Sequence, residues 1–370
     1  MLRTSDLDYD LPAGCIATLP AQPRDAARLM VVNRTEGTIR AHATIRDLPQ
    51  FLNAGDLLVL NTTRVIPARF EGVRVDSGGK AQGLYLASVP GEARRWTVYI
   101  KARRQGPGVE IDLMREGRPV GVRLVLEQRS TDEDGAWVTR VLGTDASETD
   151  EQVLERVGLT PLPPYILQAR KTGGVEVADD ADRARYQTVF AQAHGGSVAA
   201  PTAGLHLTPA LLDTLREKGV GRADVTLTVG SGTFKPVEAE FVEAHPIHAE
   251  WCAMTPDTRA AILGTRERGG RVVCVGTTSV RTVETFAALH AGGGEPPAQV
   301  DTRLLITPGY AWRWTDAMLT NFHLPRSSLM AMVGAFLGPE GVARLKTLYA
   351  TAVREGYRFY SYGDAMLILP

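Results

Sequence analysis

The sequence predicts an α/β protein in which a layered α/β domain is interrupted by a small antiparallel β-barrel. Strand-like apolar runs alternate with helix signals over residues 1–70 and 150–370, a pattern typical of layered α/β structure. Residues 71–149 instead carry short alternating strand patterns without a helix signal, as small barrels and sandwiches do. At 370 residues the chain is also long for one domain. We therefore predict a discontinuous α/β domain with an inserted barrel at these boundaries.

Four segments predict strands of the barrel. They are Gly83–Val89, Arg95–Ala102, Val120–Gln128 and Ala136–Leu142. The alternation of apolar and polar residues in VRLVLE and VTRVL suits strands with one buried face. The following residues, 143–152, predict a linker that ends in a helix start, because Thr149 and Gln152 have the spacing of a capping box.

The elements of the α/β domain are indicated by apolar runs and helix caps. The run Asp56–Leu60 predicts a buried strand. Thr-Pro pairs at 208–209 and 255–256 predict two helix starts, and Gly219 predicts the end of the first helix. Two further strands and two further helices are predicted at Ala223–Val229, Arg271–Gly276, residues 279–290 and Pro339–Gly356.

The charge balance, the cysteine count and the lack of long apolar runs restrict the classes of function that the protein can have. Lys and Arg (41) nearly balance Asp and Glu (42), giving a formal net charge of −1, so nucleic-acid binding would need a local basic patch. Three scattered cysteines without a CxxC pair argue against a disulfide scaffold and a thiolate zinc site. The polar N-terminus and the lack of an apolar run of about 18 residues predict a cytoplasmic protein without a secretory signal or membrane span.

Polar residues at predicted strand ends mark candidate ligand sites, because ligands of open α/β sheets bind at the carboxyl ends of strands. In VGTTSVRT, Thr277 and Thr278 stand between a strand and a helix. Arg281, in the first turn of that helix, is suited to a carboxylate or phosphate. The alternative is simple helix capping by Thr278 or Ser279.

Two glycine-containing segments are further candidates. Gly230, Gly232 and Thr233 follow a predicted strand and suit a turn that cradles an anion, and an ordinary tight turn is the alternative that the segment alone favours. The third glycine of a dinucleotide fingerprint is missing. In VAAPTAGLHLT, Thr202 and Gly204 lie among small residues before a helix cap. Either a ligand approached by backbone N–H groups or a tight loop explains that composition.

Histidines supply the candidates for proton transfer, because imidazole titrates near neutrality. HPIHAE places His248 and Glu250 close together with His245, but the spacing matches no strong zinc signature, so we predict no metal. A surface turn is the alternative interpretation. His206 ends the APTAGLH segment and His323 lies in LTNFHLP.

Aromatic and basic residues suggest contacts with a nucleic acid. Asn321 precedes His323, and YSYGDAM contains Tyr360, Tyr362 and Asp364. Aromatic rings stack on a base while an amide or carboxylate contacts its polar edge, although half-buried packing also explains the tyrosines. In the barrel segment, KARR groups three cations that suit phosphates or a solvated strand edge: Lys101, Arg103 and Arg104.

A series of motifs resembles the S-adenosylmethionine:tRNA ribosyltransferase-isomerases of queuosine biosynthesis, the QueA family. The motifs occur in that family's order along nearly the whole chain and are weakest in the barrel segment. They are DYDLP, RDAARLMVV, LNTTRVIPARFEG, PLPPYI, RYQTVFA, SVAAPTAGLHLT, GSGTFKPV, HPIHAE, VGTTSVRT, DTRLLITPGY, LTNFHLPRSSL and YSYGDAMLIL.

The resemblance implies an α/β catalytic domain with an inserted β-barrel and an unusual use of S-adenosylmethionine as cosubstrate. Its ribosyl part is transferred to 7-aminomethyl-7-deazaguanine at the wobble position of tRNA. The product is epoxyqueuosine, and adenine and methionine are released. The implied partner is the tRNA anticodon loop carrying that base, and we expect a monomer.

With this activity as the expectation, roles are assigned to the candidate residues from their chemistry. His206, His248 and His323 are candidates for the general base and for the donor to departing adenine, with Glu250 or Asp364 as orienting partners. The expected cosubstrate-binding residues are Thr202, Gly204, Gly230, Gly232, Thr233, Thr277, Thr278 and Arg281. The expected tRNA or base contacts are Lys101, Arg103, Arg104, Asn321, Tyr360 and Tyr362.

Two other functions are weighed against this one. A Rossmann-type methyltransferase also binds S-adenosylmethionine, but its glycine fingerprint is missing here. A non-catalytic RNA-binding protein explains the barrel and KARR, but it does not explain the many polar motifs at strand ends.

Overall fold

The computed structural model of the protein describes residues 1–192, 196–230, 237–293 and 295–370. In this part of the chain, nine strands form a mixed sheet and six strands close into an antiparallel barrel. The predicted fold class is therefore confirmed. None of the helices in these ranges is long and apolar enough to cross a membrane.

The nine-stranded sheet is the centre of the larger domain. Its order is β15 (Gln299–Thr302), β13 (Glu250–Ala253), β12 (Gly221–Leu227), β3 (Leu57–Asn61), β14 (Val272–Val275), β16 (Ala317–Asn321), β17 (Ala365–Leu369), β1 (Arg28–Asn33) and β2 (Ile39–Thr44). The four strands from β12 to β16 pair in parallel. Every residue of β3, β14 and β16 is buried, as expected for parallel strands covered on both faces.

Helices cover both faces of this sheet. The helices of the larger domain are α4 (Pro209–Glu217), α5 (Pro256–Glu267), α6 (Thr277–Ala291), α7 (Ser328–Phe336) and α8 (Gly341–Arg354). Helix α4 contributes Leu211 and Leu215 to an apolar cluster on one face. Helices α5, α6, α7 and α8 contribute to a larger cluster on the opposite face. The predicted cap at Thr208 is confirmed, because its Oγ1 accepts the N–H of Leu211 at 3.2 Å and Pro209 opens α4.

The inserted barrel is built from consecutive antiparallel strands. They are β5 (Arg69–Arg74), β6 (Lys80–Ser88), β7 (Arg95–Ala102), β8 (Glu110–Arg115), β9 (Arg118–Arg129) and β10 (Trp137–Leu142). Their inward side chains, including Phe70, Trp96 and Leu124, form one buried cluster. Strands β5 and β8 were not predicted, because each has few large apolar residues on its buried face. In β5 the inward positions are Phe70, Gly72 and Arg74, and in β8 only Ile111 and Leu113 are buried.

Three short helices and a two-stranded ladder connect the domains: α1 (Asp150–Val157), α2 (Pro164–Gly173), α3 (Asp179–Arg185), β4 (Arg64–Val65) and β11 (Gly196–Ser197). The predicted capping box of Thr149 and Gln152 is present at the start of α1. Helix α1 buries Val153, Leu154 and Val157 in the apolar cluster of the barrel. The predicted boundary at residue 149 therefore lies between the barrel and a helix, α1, that completes the apolar core of the barrel. The domain boundaries stay predictions.

A buried carboxylate fixes the chain that leads into β16. Glu284, in the middle of α6, is fully buried. One carboxylate oxygen accepts the N–H groups of Trp314 (3.0 Å) and Thr315 (2.9 Å). The other oxygen accepts the N–H of Arg313 at 3.0 Å. These charge-assisted bonds satisfy backbone donors that would otherwise be buried without partners.

Candidate active site

Two adjoining cavities open where the parallel strands end. The larger cavity, of about 860 Å³, is lined by residues that follow β12, β14 and β16, by residues 199–203, and by Tyr165, Tyr360 and Ser361. The smaller cavity, of about 700 Å³, is lined by residues 245–250 and 304–306, by Gly230, Arg281, Ser328, Leu329 and Met332, and by Glu133 of the barrel. Both volumes include the open space at the mouths of the cavities.

The two cavities are parts of one cleft. Leu329 lines both of them. The consecutive residues Val229 and Gly230 line the larger and the smaller cavity respectively, and Ser327 and Ser328 do the same. The two cavities are therefore direct neighbours in the structure.

A hydrogen-bonded chain forms one wall of the larger cavity. Thr202 Oγ1 donates to Asn321 Oδ1 at 2.9 Å, and Asn321 Nδ2 lies 3.2 Å from His206 Nε2. Because an amide nitrogen can only donate, His206 Nε2 is the acceptor of this bond. His206 itself is buried and lies behind Asn321, outside the lining of both cavities.

His323 lines the larger cavity and is held by its neighbours. Its Nε2 lies 2.8 Å from Thr320 Oγ1, and its backbone N–H donates to Tyr349 Oη at 2.9 Å. Burial lowers the pKa of His323 to about 4, and burial is also the main cause that lowers the pKa of His206 to about 4. Both imidazoles are therefore neutral at pH 7.

The start of α6 presents hydroxyl groups to the larger cavity. Gly276, with φ +87°, is the N-cap, so neither Thr278 nor Ser279 caps the helix. Ser279 Oγ donates to Val275 O at 2.8 Å. Thr277 and Thr278 line the cavity, and Thr278 Oγ1 is buried without a hydrogen-bond partner in the described part of the chain. An unpaired buried hydroxyl beside a cavity is suited to a polar ligand group.

An ion pair forms the charged wall of the smaller cavity. Arg281 Nη1 pairs with Glu250 Oε2, and Glu250 Oε1 accepts the N–H of Gly230 at 3.2 Å. Arg281 Nε donates to Leu304 O at 3.1 Å. Burial lowers the pKa of Arg281 to about 10, so it stays charged at pH 7.

His248 connects this wall to the barrel. It is more exposed than the other two candidate histidines. Its Nδ1 lies 3.7 Å from Glu133 Oε2, in the turn between β9 and β10. Within the described ranges there is no group of three or more His, Cys, Asp or Glu that could hold a metal ion.

Three of the predicted residues lie outside the linings of both cavities. The oxygens of Asp364 accept from Arg28 N (3.0 Å) and Arg358 N (2.8 Å), and its role as an orienting partner stays a prediction. Gly204 lies outside both linings, and its lack of a side chain serves packing, since a Cβ there would lie 2.7 Å from Phe190 Cζ.

Tyr362 is the third of these residues. It is 1 % exposed and packs against Tyr186 in a separate apolar cluster, outside the linings of both cavities. The turn closed by the bond from Gly363 N to Tyr360 O separates its side chain from that of Tyr360, which lines the larger cavity.

The other predicted residues are placed as follows. The predicted contacts Gly232 and Thr233 lie outside the described residues. Lys101, Arg103 and Arg104 are exposed on the barrel. Arg74 Nη1 donates to the carbonyl oxygens of Arg103 and Arg104, which fixes the turn that presents these cations.

The residues of the cleft that were not predicted include Tyr165, Ser361, Thr320 and Glu133. Tyr165 Oη and Ser361 Oγ lie 2.5 Å apart at the larger cavity, and Thr320 bonds His323 there. PLPPYI and YSYGDAM contain the first two, but both motifs can also be explained by packing. Glu133 lies in a polar turn of the barrel without any sequence signal, and only the fold brings it to the smaller cavity.

Comparison with known proteins gives full-length matches. The family described as "Queuosine biosynthesis protein" matches residues 4–368. An S-adenosylmethionine:tRNA ribosyltransferase-isomerase of Moorella thermoacetica is 44% identical over 381 residues and covers 100% of both chains. A protein of the same name from Gloeobacter violaceus is 47% identical, over 99% of this chain and 96% of its own. The crystal structure of S-adenosylmethionine tRNA ribosyltransferase from Thermotoga maritima is 30% identical, with TM-score 0.52, over 98% of this chain and 100% of that one.

The buried histidines predict a loss of stability in mild acid. Their folded pKa of about 4 lies below the ordinary value of 6.5, so the unfolded chain binds more protons between these pH values. The contribution of these histidines to the free energy of unfolding is therefore fully present above pH 6.5 and is lost as the pH falls toward 4. Between pH 7.5 and 5.5 each buried histidine should cost about 1.4 kcal/mol of unfolding free energy.

Urea unfolding at the two pH values tests this for wild type and His323→Asn. Between these pH values the free energy of unfolding should fall less in the variant than in wild type, and the difference should equal the contribution of one histidine. His290→Asn, at an exposed position of α6, is the matched control and should keep the wild-type difference. Equal pH dependence in wild type and His323→Asn would contradict the prediction.

Proposed function

The chain belongs to the queuosine biosynthesis protein family, and from this we propose that it is an S-adenosylmethionine:tRNA ribosyltransferase-isomerase. The observation that carries the proposal is the match along the whole chain to relatives of that name. In the reaction, S-adenosylmethionine donates its ribosyl part to 7-aminomethyl-7-deazaguanine at the wobble position of tRNA. The products are epoxyqueuosine-tRNA, adenine and methionine. We also propose that the enzyme acts in the cytoplasm as a monomer.

The cleft offers the groups that this chemistry needs. The positive sulfur of S-adenosylmethionine acidifies the neighbouring 5′ hydrogens, so removal of one by a base can begin the opening of the ribose ring and the loss of adenine. The base must be neutral to accept a proton. His206 and His323 are neutral at pH 7, and His323 lines the larger cavity. His248 lines the smaller cavity and stays a third candidate.

Cosubstrate and base contacts are assigned by their position in the cleft. Thr202, Thr277 and Thr278 offer hydroxyl groups to the larger cavity. The ring centroids of Tyr360 and Tyr165 lie 4.5 Å apart on the wall of the same cavity. These rings offer an aromatic surface for the adenine or the tRNA base. Asn321, which bonds both Thr202 and His206, stays a candidate for contact with the polar edge of a base.

The basic cluster of the barrel is the proposed contact with tRNA phosphates. Lys101, Arg103 and Arg104 are exposed and carry three positive charges on a protein with a net charge of −1. Because phosphate contacts supply much of the affinity for nucleic acids, a nearly neutral protein depends on such a local patch. The unstacked wobble base would be held in a pocket, where aromatic stacking contributes about 1–3 kcal/mol.

A product assay tests the proposed function. The protein is incubated with S-adenosylmethionine and tRNA that carries 7-aminomethyl-7-deazaguanine, and the small molecules are separated by chromatography. Adenine and methionine in equal amounts are expected. S-adenosylhomocysteine would identify a methyltransferase instead, and absence of turnover would favour a non-catalytic RNA-binding protein.

Hydrogen exchange tests the assignment of the base. The 5′ hydrogens of S-adenosylmethionine should exchange with deuterated solvent in wild type, and mass spectrometry measures the exchange. Because one of the three histidines removes the hydrogen, at least one of His206→Ala, His248→Ala and His323→Ala should slow exchange by about 100-fold or more. His290→Ala, outside both cavities, is the control. If all three variants exchange at the wild-type rate, the histidine assignment is wrong.

Salt dependence tests the basic cluster. Substitution of Lys101, Arg103 and Arg104 by Ala should weaken tRNA binding. The plot of log affinity against log salt should become shallower by about 0.7 for each lost single-strand phosphate contact. Affinity for S-adenosylmethionine should not change.

The control variant removes the same charge from exposed sites of the larger domain: Arg216, Lys218 and Arg222 to Ala. It should keep the wild-type slope. An unaltered slope in the Lys101/Arg103/Arg104 variant would show that this cluster is only a solvated strand edge.

A further inference from the structure

We propose that the smaller cavity binds the amino-acid end of S-adenosylmethionine and that Arg281 binds its carboxylate. This inference rests on the proposed function and adds the orientation of the cosubstrate in the cleft. The adenosyl part would then occupy the larger cavity, and the sulfur would lie near the junction of the two.

The hydrogen bonding of Arg281 is incomplete in the described part of the chain. Its Nη1 pairs with Glu250 and its Nε donates to Leu304 O. Its Nη2 is buried and has no hydrogen-bond partner there. A charged donor removed from water without a partner is unfavourable, and a ligand carboxylate would supply the missing acceptor. Thus the guanidinium is held on one side by the protein and keeps a donor for the ligand.

The charges of the cavity complement the methionyl group. Arg281 contributes +1, and Glu250 and Glu133 contribute −1 each, so these three groups sum to −1. The bound end of S-adenosylmethionine carries a sulfonium (+1), an ammonium (+1) and a carboxylate (−1), which sum to +1. We assign the ammonium to Glu133, whose carboxylate accepts from Tyr99 Oη at 3.3 Å and faces the cavity from the barrel.

The rest of the lining suits the methylene chain between these charged groups. Leu305, Ile306 and Met332 are apolar residues of the smaller cavity. Leu329 lies at the junction with the larger cavity. The larger cavity has the aromatic and hydroxyl groups that a nucleoside needs, including Tyr360 and Thr278. An amphipathic amino-acid chain and a nucleoside therefore each find a matching part of one cleft.

Calorimetric binding of three ligands to the full-length protein tests the assignment without tRNA. They are S-adenosylmethionine, its decarboxylated analogue, and 5′-methylthioadenosine, which lacks the amino acid. Wild type should bind S-adenosylmethionine at least tenfold more tightly than the decarboxylated analogue. Arg281→Gln should reduce this ratio to about threefold or less and leave the affinity for 5′-methylthioadenosine unchanged.

Two further variants separate the proposed contact from folding and from general charge effects. Arg281→Lys keeps the positive charge but loses the planar fork, so the ratio should also fall. Arg303→Gln removes a charge at an exposed neighbouring position and should keep the wild-type ratio.

The outcomes distinguish this inference from the proposed function. Equal affinity of wild type for S-adenosylmethionine and its decarboxylated analogue would overturn the subsite without needing any variant. An unchanged ratio in folded Arg281→Gln would also overturn it. In either case, release of adenine and methionine by wild type would leave the proposed function intact. Absence of both binding and turnover would overturn the two together.

Discussion

The parallel pairing of β12, β3, β14 and β16 brings four carboxyl ends to one edge of the sheet. The cleft depends on this pairing. At the end of the β12–β3 ladder, the side chain of Asn61 continues the pairing in place of the backbone. Its Oδ1 accepts the N–H of Leu227 and its Nδ2 donates to the carbonyl oxygen of Leu227, both at 3.1 Å. The chains that continue from β12, β14 and β16 can then diverge and form the walls of the larger cavity.

Burial determines the chemical state of the side chains on these walls. His206 and His323 are neutral at pH 7 because the surroundings that exclude water disfavour the imidazolium ion. Arg281 keeps its charge in a similar environment because its ordinary pKa is so much higher, and Glu250 offsets part of the cost of its burial. The cleft thus combines an uncharged imidazole, that of His323 in the larger cavity, with the Arg281–Glu250 ion pair in the smaller one.

The sequence was informative where a local rule determines the structure. Thr208 and Thr149 predict helix starts because each side chain accepts a backbone N–H group only three residues further along the chain. The continuous apolar run of β3 likewise predicts a buried strand. It was less informative where partners are distant in the chain. Nothing near Asp364 reveals that it bonds Arg28, and nothing near Glu133 reveals a cavity that residues 245–250 complete. Tyr360 and Tyr362 show the same limit, since a turn sends two similar residues into different environments.

The barrel contributes a residue to the lining of the cleft. Glu133, in the turn between β9 and β10, lines the smaller cavity and lies 3.7 Å from His248. The exposed cations at the end of β7 belong to the same closed barrel, and β7 pairs directly with β10. Under the proposed function, a tRNA held by those cations would bind to the domain that also completes the cosubstrate site. Because β7 and β10 are neighbours in a closed barrel, the proposed tRNA contact and the Glu133 side of the smaller cavity would belong to one continuous sheet.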